Sequence, residues 1–176
     1  MKHNGKRLEE ILELHVKFTK GEASGVRADL SRAKLAGANL HGANLSYALL
    51  RDANLEEADL GEARLGGADF TGAKMKGADL RRADLTETTL AGADLRGSQL
   101  GGVECFRADL SNANLRGANL RAANFRNTNL RGADLHGADV TTTILRETDL
   151  DGVDLSGLDL STTLMPRDWK AEKAGK

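Results

Sequence analysis

From Leu30 to Met165 an apolar residue falls at every fifth position without a slip, 28 times, and a second residue, usually small, stands two positions before each. The centres are Leu at 22 of these positions, with Phe70, Phe125, Met75, Met165, Val140 and Cys105 as substitutes. The small position is Ala 19 times; Thr88, Thr128, Thr143, Thr148, Thr163, Ser98, Val103 and Val153 replace it, and Leu158 alone is large. A period of five matches neither the 3.6 of an amphipathic helix nor the two of a strand, so neither straight element can bury every centre. The pattern predicts a coil. Each five-residue unit forms one side of a square, with the small residue and the centre pointing inward and the other three positions facing water or turning the corner. Four units close a turn, so the chain predicts about seven coils, roughly 34 Å tall at about 4.8 Å per coil. Gly follows the centre by two residues at 13 places, among them Gly37, Gly72, Gly97 and Gly152. A corner there calls for positive φ, which glycine adopts cheaply.

Both ends of such a coil need covers, because terminal coils expose apolar residues and unpaired strand edges. Leu8, Ile11, Leu12, His15 and Phe18 share one face at helical spacing, and Gly21 stands where a helix would stop. They predict a helix from about Lys6 to Lys20 that caps the first coil. Residues 1–25 are then cap and linker, 26–165 the coil, and 166–176 a short tail that serves as a lid or a dimer contact. Whether the first coil begins at Gly25 or at Leu30 stays open.

The unit A-(D/N)-L-x-x, as in Ala28-Asp29-Leu30-Ser31-Arg32 and Ala118-Asn119-Leu120-Arg121-Ala122, resembles that of the pentapeptide-repeat family. The resemblance covers residues 26–165 and implies an all-β solenoid, a right-handed quadrilateral β-helix. In this family the fluoroquinolone-resistance members look like duplex DNA, bind type II topoisomerases such as DNA gyrase, and dimerise through their C-terminal ends.

Composition fits a coil better than a conventional core: 40% of residues are hydrophobic but only 3% aromatic. The single cysteine, Cys105, sits at a centre and reads as a small buried hydrophobe in a reducing compartment. The charged start, Met1 to Leu14, has no apolar stretch of a secretory leader, and no segment reaches the length of a membrane span. A soluble, cytoplasmic protein is expected, without membrane contact.

Candidate chemistry is sparse. His3, His15, His41 and His136 have no cysteine or second histidine at metal-ligand spacing, and the serines and threonines occupy corners or core positions rather than a nucleophile turn. Asp or Asn precedes most centres, where a short polar side chain can bond the local backbone. No enzyme activity, metal or cofactor is expected.

Attention therefore shifts to the surface. Residues 26–165 carry 20 acidic and 16 basic side chains, segregated along the axis. Arg116, Arg121, Arg126 and Arg131 take the same outward position on four successive sides and predict a basic belt. Beyond them Glu147, Asp149, Asp151, Asp154 and Asp159 predict an acidic end. Salt bridges between the belt and neighbouring Asp ladders are the simplest account of these arginines. Phe106 is expected to pack under Arg126. Outward apolar residues gather on the side with centres 45, 65, 85, 105, 125, 145 and 165: Tyr47, Phe106, Ile144 and Leu164. Either Trp169 of the tail folds back over the last two, or they form a homodimer contact at the C-terminal end.

These features point to a non-enzymatic scaffold that binds a protein partner of unknown identity through the apolar side or the charged bands. The alternative is a DNA-mimicking binder of gyrase. A duplex carries about 20 charges over 34 Å, far more than the coil's net −4. With a formal charge of −1 and no aromatic platform for bases, nucleic acid itself is not an expected partner.

Overall fold

The computed structural model describes residues 2–169. From Asp29 onward the chain winds in steps of 20 residues: Asp29 bridges Leu49 in parallel, Lys34 bridges Asn54, Asn39 bridges Asp59 and Asn44 bridges Arg64. These four pairings are the four sides of one turn. Each side from Leu30 to Leu130 is stitched to the next coil by three backbone bonds. On the first, the Leu30 N–H donates to the Leu49 carbonyl at 2.7 Å, Leu49 N–H donates back to Ala28 at 3.0 Å, and Arg32 N–H donates to Arg51 at 2.8 Å. Centres and small residues point inward as expected. Leu45 through Leu130 are essentially without exposed surface at every centre. Alanine on each wall leaves room for the leucines to fill the axis closely, so few aromatic side chains are needed.

The corners from Leu30 to Leu158 are all the same turn. The Ala33 N–H closes on the Leu30 carbonyl at 3.0 Å, and the residue before the closing amide has positive φ, which identifies a type II turn. All 26 such positions from Arg32 to Gly157 have φ between 54° and 74°. Only 13 are glycine; the others include Tyr47, Asp52, Glu57 and even the β-branched Thr142 at 56°. Glycine thus eases the corner without being necessary to it. The ladder imposes the conformation, at a local cost of about 1–2 kcal/mol for each side chain forced into it.

Polar residues of the repeat are bound to its own backbone. Asp and Asn before the centres accept from the N–H two residues on, as in Ser31 N to Asp29 Oδ1 at 3.0 Å and Thr86 N to Asp84 Oδ1 at 2.9 Å. That is the local bonding expected of them. The inward threonines are satisfied too. Thr88, Thr128, Thr143, Thr148 and Thr163 each donate to a centre carbonyl 23 residues earlier, at 2.6–3.0 Å. Those carbonyls already accept one turn amide, so threonine takes the second lone pair.

At the N-terminus, Lys2–His3 (β1) and Lys6–Arg7 (β2) pair antiparallel across Asn4 and Gly5, whose φ values of 49° and 81° fit a type I′ turn. The hairpin delays the helix: α1 spans Leu8–Thr19, two residues later than the expected start. It ends as expected. Gly21 N–H donates to Phe18 at 2.9 Å and Glu22 N–H to Lys17 at 3.0 Å, with Gly21 at φ 74°, a Schellman stop. Ile11 joins the core cluster and His15 is buried against the first coil. Gly25 falls where the next centre back would stand, but a Cβ there would lie 2.2 Å from the Phe18 nitrogen. The helix backbone fills that place, so the repeat begins at Leu30.

At the other end the winding loosens. Asp134 and Asp139 make no bridge to the coil beyond, which is regained only at Ile144 and Leu164. Among the described residues the amides of Leu135, Gly137 and Val140 meet no backbone carbonyl, and Thr142 N–H turns to the Thr162 hydroxyl at 3.0 Å. Leu150, Val153, Leu158, Leu160 and Met165 are only partly buried. Of the tail, Pro166 to Trp169 is described, and Trp169 packs against the core cluster; Lys170–Lys176 lie outside the described residues.

Candidate functional site

The coil places the four belt arginines on one turn, where all four are exposed. Their partners lie one coil on, 18 or 20 residues later. Arg116 reaches Asp134 at 3.2 Å, Arg121 reaches Asp139 at 3.2 Å, and Arg131 reaches Asp149 at 3.7 Å and Asp151 at 2.7 Å. Arg126 has no ion pair among the described residues, because Ile144 occupies the equivalent position. The expected cation–π contact also lies elsewhere: Arg107, next in the chain, stands 4.9 Å over the Phe106 ring. The belt therefore meets the acidic end only through Arg131, and Glu147, Asp154 and Asp159 have no ion pair among the described residues.

The remaining acids are bound locally. Asn127 Nδ2 donates to Glu147 at 3.1 Å, and Asp154 and Asp159 accept from the amides of Ser156 and Ser161 at 2.8 and 3.0 Å. Hydrogen bonds from these two serines hold both carboxyls below the ordinary aspartate value. Asp134 is lowered by the His136 amide and then by Arg116; Asp139 by Thr141 and then by Arg121. All four are acceptors at neutral pH and none is poised to move a proton.

The apolar residues share one side of the coil but not one patch. Tyr47 is 58% exposed at a corner near the N-terminal end, where its ring lies over Gly67. Phe106 is half-buried three coils away, about 14 Å along the axis. Only Ile144 and Leu164 are neighbours, bridged to each other, with Leu164 45% exposed. Trp169 packs on the core cluster.

Sequence reasoning passed over a shallow groove of about 340 Å³ lined by His41, Gly61, Glu62, Asp79, Arg81, Arg82 and Gly101. Gly61 and Gly101 occupy the first corner position, where positive φ is not needed, and alternate with His41 and Arg81 at 20-residue spacing. That alternation was visible in the chain. The groove's charges are mutually paired: His41 with Asp59 at 3.2 Å, Arg81 with Asp79 at 2.5 Å, Arg82 with Glu62 at 3.9 Å. No nucleophile enters it. Cys105 is fully buried and its thiol pKa is pushed up, by burial first and then by Glu104 and Asp84, so it is no reactive thiolate. Among the described residues no group of three or more His, Cys, Asp or Glu could hold a metal ion, and no helix is long and apolar enough to cross a membrane.

Comparison with known proteins agrees with this architecture. The family described as pentapeptide repeats matches in eight copies, over residues 26–61, 48–86, 63–102 and 104–141. The crystal structure of HetL, a pentapeptide repeat protein involved in heterocyst differentiation regulation from the cyanobacterium Nostoc sp. strain PCC 7120, is 25% identical, with 92% of this chain and 98% of that chain covered and a TM-score of 0.59. Rfr23 from the cyanobacterium Cyanothece 51142 is 30% identical over 65% of each chain, with a TM-score of 0.41. QnrB1, a plasmid-mediated fluoroquinolone resistance protein, is 18% identical over 84% of this chain and 91% of that one, at a TM-score of 0.37. No match is found among curated proteins.

Proposed function

Because the chain belongs to the pentapeptide-repeat family, whose fold is a right-handed β-helical solenoid, we propose that it is a non-enzymatic scaffold. In this reading it is a four-sided rod of about seven coils, closed at its N-terminal end by α1, that binds a protein partner from the cytoplasm. One observation carries the reading: the same turn recurs 26 times whatever residue occupies it, from Gly to Tyr47 and Thr142. Backbone and core hold the shape, so outward side chains are released for recognition. The partner surface that fits best is the C-terminal end, where Leu164 is exposed beside Ile144 and the ladder is incomplete. A second copy of the chain is the simplest occupant. Ile144→Ser with Leu164→Ser should then halve the mass measured by light scattering; an unchanged mass in both proteins removes that contact.

DNA mimicry has weaker support, since Arg116, Arg121 and Arg131 pair with Asp134, Asp139, Asp149 and Asp151 and leave Asp154 and Asp159 to imitate phosphate. A gyrase supercoiling assay, with and without a fluoroquinolone, separates the readings. The scaffold reading expects no inhibition and no drug protection up to tens of micromolar. Inhibition lost on changing Asp149, Asp154 and Asp159 to Lys would replace it with mimicry.

A further inference from the structure

Where the repeat runs out at the N-terminal end, one side chain stands in for the missing unit. In later units the N–H of the small residue closes the corner on the preceding centre, as Ala33 does on Leu30 at 3.0 Å. Ala28 has no preceding centre, because Gly25 occupies that position and the helix backbone fills its space. The Ala28 N–H donates instead to Nδ1 of His15 at 3.0 Å. His15 is fully buried and stacked on Phe18, with ring centroids 5.6 Å apart. Its Nε2 makes no hydrogen bond of normal geometry, although the Ser46 backbone lies beside the ring.

A nitrogen that accepts a backbone N–H must keep its lone pair, so the ring is neutral with its proton on Nε2. A second proton on Nδ1 would set two donors against each other and leave a cation in a dry site. The surroundings oppose that proton. Burial holds the pKa below the ordinary 6.5; the Ser46 backbone works in the other direction, and the positive charge of Arg27 adds to the lowering. From α1 the ring meets Phe18, with Ile11 one turn earlier; from the first coil it meets Ala28, Ser46 and the field of Arg27. Among the described residues no carboxylate compensates. A further tie, Asn44 Nδ2 to Thr19 Oγ1 at 3.1 Å, does not titrate.

We propose that His15 is an acid-sensitive latch: neutral, it holds α1 on the first coil, and protonated it releases the helix and bares the open strand edge beneath. The inference rests on the reading of α1 as the lid of the rod. Its sign follows from linkage. The folded pKa lies below 6.5, so docking is strongest above pH 6.5 and weakens as pH falls below it, by up to about tenfold per pH unit until the folded pKa is reached.

The test uses the full chain. The imidazole nitrogens are followed by NMR through a pH titration, and amide exchange over residues 8–30 is compared at about pH 7.5 and 5.5 after correction for intrinsic rates. His15 should show the Nε2–H form and titrate below 6.5, and protection of α1 should fall by up to about tenfold at the lower pH. Protection around Leu80 should not change. His15→Asn, whose Oδ1 can accept from Ala28 without titrating, should remove the pH dependence. A wild-type His15 that titrates at or above 6.5 overturns the latch, whatever the variant does. A helix equally protected at both pH values also overturns the latch but leaves the lid standing; a helix unprotected even at neutral pH overturns both.

Discussion

The sides centred on Leu80 and on Leu155 are built from the same unit, Ala78-Asp79-Leu80 and Val153-Asp154-Leu155, and are held very differently. Around Leu80 the coil is gripped from above and below: Leu80 N–H donates to Gln99 at 2.7 Å, and Asp79 N–H donates to Ala58 at 2.9 Å. Around Leu155 the corner still closes, Leu158 N–H on Leu155 at 3.3 Å, but no bridge ties Asp154 to Asp134. The corner thus still closes at Gly157 where the ladder is missing, whereas the ladder itself belongs to neighbouring coils. Stability should follow neighbours rather than motif quality, as in a one-dimensional array.

The largest test of that contrast is a pair of truncations. Leu80→Ala should cost about 2–5 kcal/mol in urea unfolding, since it opens a cavity in a fully packed core. Leu160→Ala, in the half-buried last coil, should cost less than about 1 kcal/mol. Equal losses would mean that the two coils are packed alike.

Next comes strain. Thr142 is β-branched at φ 56°, at the point where the ladder opens. Thr142→Gly should raise stability by about 1 kcal/mol, read from the shift of the urea midpoint.

Acid should act on both regions, and in the gripped one through its paired aspartates. Asp79 and Asp94 are held below their ordinary 3.8 by the Arg81 and Arg96 side chains respectively, with burial opposing. A depressed folded pKa gives stability that is present above 3.8 and lost as pH falls through the lower folded value. The midpoint of unfolding should therefore drop below about pH 4, and Asp94→Asn should flatten that part of the profile.

The smallest effect is expected at the belt. Arg116→Ala and Arg121→Ala remove exposed ion pairs and should each change stability by less than about 0.5 kcal/mol, measured at low and at high salt.

The centres and the small positions were legible because a strict period of five admits only a coil, and the aspartates because a short acceptor before a turn bonds its own backbone. The pairing of Arg116 with Asp134 was not read residue by residue, since its spacing of 18 is the coil of 20 less two, and only that geometry distinguishes it from chance. Arg126 shows the same rule by exception, with Ile144 where an acid would stand. Tyr47, Phe106 and Ile144 were assigned to the right side, but a side is a column, and their heights along it separate them. The Asn4-Gly5 hairpin was visible as a dipeptide and delayed the helix by two residues. His15 had no signal beyond its place on an apolar face, because its partner is an amide left free by Gly25. The opening at Asp134 and Asp139 was hidden altogether, because Asp154 and Asp159 keep the motif.

The most direct test of a ladder held by its neighbours is residue-resolved amide exchange on the native full-length protein. Leu80 and Leu130, whose amides donate to Gln99 and Asp149 at 2.7 and 2.9 Å, should exchange only through global unfolding. Leu135 and Val140, equally buried but without carbonyl partners among the described residues, should exchange faster by orders of magnitude. Uniform protection from Leu80 through Val140 would contradict the account.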